Sequence, residues 1–151
     1  MATLINDIKD GIEARINVVR PSYKRLAYQV DVSQNKFKGN SKGYAVHPVT
    51  AEEVDGLVGA YTLDHEFKVT LVNSYNNGPT SNIGDSIKSQ RLTELTDDIL
   101  EIYRDLVINK NNVEPSILLL NNMSIEEAEF IETEKVISIT FTFNIKYKVD
   151  K

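Results

Sequence analysis

The chain contains no cysteine. That excludes thiol catalysis, thiolate metal sites and a disulfide framework, and it fits a reducing compartment. Histidine is almost as scarce, with only His47 and His65. A nucleophile triad needs a hydroxyl or thiol, a base and an orienting acid, so imidazole chemistry has little to work with. No His-x-x-x-His pair and no calcium-loop spacing of acids occurs, so the sequence offers no metal site. Gly39-Asn40-Ser41-Lys42-Gly43 has the residue types of a phosphate loop but not their order, and no Gly-x-Gly-x-x-Gly follows a strand. No apolar run approaches membrane-spanning length, and Met-Ala-Thr-Leu-Ile-Asn-Asp is not a signal peptide. The expectation is a protein made and used in the cytoplasm, with no cofactor and no catalysis. On that ground the Asn122-Met123-Ser124 sequon is accidental.

The 151 residues form one domain by length and carry a net charge of -5. That balance argues against sequence-independent nucleic-acid binding, which needs many phosphate-neutralising bases. The charge is uneven. Residues 1–50 sum to +4 and residues 51–151 to -9, and Glu114 to Glu134 holds six acids with no base. Such a chain can set its basic side against the acidic side of a neighbouring copy, or the unevenness is an ordinary solvated surface.

What the sequence does have is two long alternating segments. Tyr61, Leu63, His65, Phe67, Val69 and Leu71 share one phase, with Thr62, Asp64, Glu66, Lys68 and Thr70 on the other. Ile137, Ile139, Phe141, Phe143, Ile145, Tyr147 and Val149 alternate in the same way with Ser138, Thr140, Thr142, Asn144, Lys146 and Lys148. A period of two held this long predicts antiparallel strands with one dry and one wet face. His65 falls on the dry phase and reads as a core or interface histidine. His47, between Val46 and Pro48, reads equally well as exposed.

Around these strands, Ile5, Ile8, Ile12 and Ile16 make one apolar stripe on a helix over residues 3–17, ended by Arg20-Pro21. Tyr23 to Val32 alternates as a strand, and Gln34 to Lys42 is a basic, turn-rich loop. Gly43 to Val49 is a short strand that Pro48 confines to an edge or an end. Thr50-Ala51-Glu52-Glu53 has capping-box spacing and suggests a helical turn. Asn76 to Asn82 is a loop by composition. A main helix follows over Ser86 to Asn109, buried along Leu92, Leu95, Ile99, Ile102 or Tyr103, and Leu106. Its acids Glu94, Asp97, Asp98, Glu101 and Asp105 read with Arg104 as a wet face. Ser116 to Leu120 is a short strand. Ile125 to Ile131 carries both a helix-start signal, Ser124-x-x-Glu127, and the alternation of a strand, the latter favoured. The order is α-β-β-β-α-β-β-β. This is an α+β domain with a mostly antiparallel, twisted sheet, and both the N-terminal helix and the long helix pack on it.

That order and texture, with Lys42-Gly43-Tyr44-Ala45-Val46-His47-Pro48 followed by Gly59-Ala60-Tyr61-Thr62, resembles the bacteriophage tail terminator, or tail completion, family. The corresponding pieces are Leu4–Asn17, Gln34–Lys42, Gly43–Asn73, Ser86–Asn109 and Ser116–Val149. The resemblance implies a virion tail protein assembled in the host cytoplasm. It also implies a homo-oligomeric ring, usually six-fold, that caps the tail tube, stops its polymerisation and meets the head connector. Related expectations are a neck or head-completion protein or a tail tube subunit; a small ligand-binding domain or an enzyme is the more distant alternative. Partner contacts are expected at Lys36, Phe37, Lys38, Lys42, Asn76, Asn77, Asn82 and Asp85, in the two polar loops. If DNA passes through the ring, Glu126, Glu127, Glu129, Glu132 and Glu134 would form an acidic lumen along which it slides. No membrane partner is expected.

Overall fold

The computed structural model describes residues 4–25, 42–57, 60–74, 84–131 and 136–150. Among these the order is α1 (Leu4–Val19), β1 (Lys24–Arg25), β2 (Lys42–Leu57), β3 (Ala60–Ser74), α2 (Gly84–Ile108), α3 (Lys110–Val113), β4 (Ile117–Ile125), β5 (Glu129–Ile131) and β6 (Val136–Asp150). The fold is mixed α+β, with one mostly antiparallel six-stranded sheet ordered β1-β2-β3-β6-β4 and β5 also paired to β6.

The two alternating segments are neighbours, β3 and β6, in unbroken antiparallel register from Ala60↔Asp150 to Ser74↔Val136. This puts Phe67 opposite Phe143, Val69 opposite Phe141 and Leu71 opposite Ile139 on one face. Phe67, Phe141 and Phe143 are fully buried, with ring centroids 6.3 Å apart for Phe67–Phe143 and 5.8 Å for Phe141–Phe143. The isoleucine stripe of α1 (Ile8, Ile12, Ile16) and the stripe of α2 (Leu95, Ile99, Ile102, Leu106) close over them in one core. Each large apolar side chain so enclosed contributes roughly 1.5–3 kcal/mol relative to exposure. Helix α1 comes close to α3 at Gly11. A Cβ there would sit 2.3 Å from the Val113 carbonyl oxygen, so only glycine permits the approach.

Strand β2 corrects the reading of residues 43–53. It runs 16 residues without ending at Val49. Pro48 pairs opposite Phe67, and one extra residue is absorbed before Ala51 meets His65. Beyond its two-residue pairing with β1, β2 is an edge of the sheet among the described residues, which is where a strand tolerates proline. The capping-box spacing at Thr50 misled. Ala51, Glu52 and Glu53 pair with His65, Asp64 and Leu63 in the hairpin. An isolated helical turn has a costly nucleus and cannot compete with the ladder that β3 offers alongside it.

Elsewhere the segment Ile125–Ile131 is extended at both ends. β4 closes at Ile125 and β5 begins at Glu129, with residues 126–128 bulging between them. β4 shifts register twice against β6, and at the second shift Asn122 takes a φ of 62°, a left-handed conformation that asparagine tolerates. Strand β1 covers only Lys24 and Arg25; the remainder of the expected strand to Val32 lies outside the described residues.

Candidate assembly surfaces

The helix layer uses much of the basic N-terminal segment internally. Arg15 grips Asp105 through two hydrogen bonds, of 2.8 and 2.7 Å. Arg20 Nε donates to Asp98 at 2.6 Å, and the Tyr23 hydroxyl donates to the other oxygen of the same carboxylate. Arg25 Nε donates to Glu13 at 2.9 Å, with Lys9 3.6 Å from that oxygen. Asp98 and Asp105 therefore do not belong to a wet helix face, although Asp97 and Glu101 are exposed as expected. Seven residues apart on α2, they look the same way, toward α1. The hydrogen bond to Asp105 holds Arg15 more firmly protonated, and that to Glu13 does the same for Arg25. Burial, then the hydrogen bond to Asp98, pushes the Tyr23 phenol up. Part of the uneven charge is thus matched within one chain, not kept for a neighbour.

Of the expected partner-contact residues, Lys36, Phe37, Lys38, Asn76, Asn77 and Asn82 lie outside the described residues. Lys42 is not a loop residue. It opens β2, half-exposed, with its ammonium 5.5 Å from the centre of the Tyr23 ring, within cation–π range. Asp85 is not in a loop either, since its backbone belongs to the first turn of α2. In both cases the regular element begins earlier than the composition of the loop suggests.

The acidic segment is partly assembled. Glu126, Glu127 and Glu129 border a concavity of about 120 Å³ together with Lys68, Ser138 and Thr140; Glu132 and Glu134 lie outside the described residues. The bulge at 126–128 swings these carboxylates over the face of the sheet away from the helices. Glu126 approaches Lys68 at 3.9 Å, and both are solvated enough for the pair to contribute little. Beneath them Thr140 and Thr70 share a buried hydroxyl hydrogen bond of 2.9 Å. Among the described residues no group of three or more His, Asp or Glu is placed to hold a metal ion.

His65 is a core residue, as its phase predicts. It is 4% exposed, and its Nδ1 lies 3.0 Å from the Tyr147 hydroxyl, itself fully buried. Burial holds its pKa below the usual histidine value. His47 is half-buried opposite Lys68. Burial, then Lys68 and Lys9, lower it as well.

Two surfaces were not visible in the sequence. Thr50, Ala51 and Glu52 from β2, Asp64 and Glu66 from β3 and Asn144 from β6 line a groove of about 260 Å³. Asn144 donates to Asp64 across it at 2.9 Å. Glu52, Asp64, Glu66 and Asn144 sit on the wet phase of three strands, and only the register brings them together. The other surface is the β4 edge, where Leu118, Leu119 and Ile125 are exposed, with Leu100 and Val107 exposed on α2. Its signal in the sequence was a nine-residue strand, ILLLNNMSI, with no charge.

Comparison of the chain with protein-family models and with curated proteins gave no match.

Proposed function

We propose that the chain is a structural subunit of a phage tail. It is a tail terminator that assembles into a ring, caps the tail tube, stops its growth and joins it to the head connector. The observation that carries this reading is the length of the β2–β3 hairpin. At roughly 3.3 Å per residue a 16-residue strand spans about 50 Å. On the helix side of its distal half, Ala51 and Glu53 are exposed while their β3 partners His65 and Leu63 are buried and half-buried, so the helices leave the outer strand of the hairpin uncovered. A long strand left uncovered beside its own core is suited to packing against other subunits, and a ring needs one surface to meet a different one on the next copy. The full order is read as α-β-β-β-α-β-β-β, with α3 as a continuation of α2.

Glu126, Glu127 and Glu129 face solvent away from the helix layer, which suits a lumen along which DNA slides. Native mass measurement and negative-stain imaging over a range of concentrations test the assignment. Closed rings of about six copies that bind the ends of tail tubes are the expected result. Open filaments would make the chain a tube subunit. A strict monomer that ignores tube ends would overturn the reading.

A further inference from the structure

Strand β4 lies at the edge of the sheet opposite β2, and among the described residues nothing pairs with its outer side. Edge strands in monomeric proteins are usually short or guarded by charge or proline, because their free N–H and C=O groups recruit other strands. β4 has none of those guards. It is nine residues long, uncharged and free of proline, and it exposes Leu118, Leu119 and Ile125. Its two register shifts are the only irregularity that tempers it.

The sheet itself indicates what fits there. Next to β4, β6 presents Lys146 and Lys148 on the face away from the helices; Lys146 is half-exposed and Lys148 exposed. On the far side of the same sheet, beyond its two-residue pairing with β1 and among the described residues, β2 exposes Glu52 on that same face. Leu119 is level with Lys146, Lys146 with Asp64, and Asp64 with Glu52. β2 and β4 run in opposite directions, since three antiparallel pairings separate them. A second copy set beside the first without turning over therefore offers β4 an antiparallel strand at the same level, with Glu52 beside Leu119 and Lys146 one strand further in on the same face.

We infer that β4 of one subunit takes the outer edge of β2 of a second copy of this chain, continuing one sheet from subunit to subunit. The contact rests on the ring reading for its closure and not for its chemistry, which is backbone pairing with Glu52 level with Lys146 on the face away from the helices. It is heterologous, so each copy contributes one edge and receives another.

The native chain has no cysteine, so engineered pairs report contacts without background. With the two edges level, Leu119→Cys and Glu52→Cys in one chain become cross-strand neighbours between subunits, within disulfide reach. Oxidation of the full-length double variant is expected to give a covalent ladder, while either single variant stays monomeric on a non-reducing gel. Disulfide dimers from Leu119→Cys alone would mean that β4 meets β4, and would overturn the inference. So would assembled rings whose double variant does not cross-link. Independently, Lys146→Glu should weaken assembly about threefold, with Glu52→Lys in the same chain restoring it. Unchanged assembly of Lys146→Glu counts against the charge match. Cross-linked open filaments would keep this contact and remove the terminator role. Closed rings without the cross-link would do the reverse, and a monomer at every concentration would remove both.

Discussion

The two faces of the sheet follow the same alternation and meet different fates. On the helix side Phe67, Val69, Phe141, Phe143 and Ile145 are all sealed from water. On the other side the outcome changes along the strands. Thr70, Ser138 and Thr140 are buried at one end, while Asp64, Glu66, Asn144 and Lys146 are half-exposed at the other. Alternation decides which way a side chain points; what lies over it decides whether it is dry. A hydroxyl can be buried here at low cost because Thr70 and Thr140 satisfy each other.

The contrast can be broken most strongly on the helix side. Phe143→Ala should lower unfolding free energy by about 3–5 kcal/mol in urea titration, against less than about 1 for Asn144→Ala on the other face. Equal losses would mean that the faces are not energetically distinct. Gly11→Ala comes next. Helix propensity alone favours alanine by about 1 kcal/mol, but the contact with Val113 should reverse the sign and cost about 1–3. A stabilised variant would show that α1 does not lie this close to α3. Thr70→Val should cost about 1 kcal/mol by leaving Thr140 without its partner, and Thr70→Val with Thr140→Val should cost less than the sum of the single changes. Additive losses in that double-mutant cycle would deny the hydrogen bond.

The smallest effect is that of pH. Both histidines titrate lower in the folded chain, and in the unfolded chain near 6.5. Between the folded values and about 6.5 the unfolded state holds more protons, so stability is full above that pH and falls as acid is added, levelling off below the folded values. Denaturation midpoints measured from about pH 8 to pH 5 should trace this fall, and His65→Gln should shallow it. A slope unaffected by that substitution would assign the fall to other groups.

Much of the fold was legible because its signals were long. The alternation of β3 and β6 and the isoleucine stripe of α1 each repeat enough times that no competing pattern fits. Short signals failed. The capping box at Thr50 is four residues of local preference, and β3 alongside it outweighed them. Asp98 and Asp105 looked like solvent residues because charge on a helix usually is; nothing local reveals that Arg15, Arg20 and Tyr23 return to meet them. For the surfaces, Glu126, Glu127 and Glu129 could be grouped from sequence because they are contiguous. The groove at Glu52, Asp64, Glu66 and Asn144 could not, since it exists only once three strands are in register.

Strand β6 is the innermost strand with the most neighbours, paired to β3, β4 and β5, yet it comes last of these elements in chain order. During synthesis every earlier piece must therefore wait. The β2–β3 hairpin can zip on its own, but its dry face has nothing to lie against on one flank until residues 136–150 have left the ribosome. Helix α1, made first, finds Asp105 only 90 residues later. Closure of the sheet therefore waits on residues 136–150, and neither the hairpin nor the helices take their final packing before β6 is laid between β3 and β4.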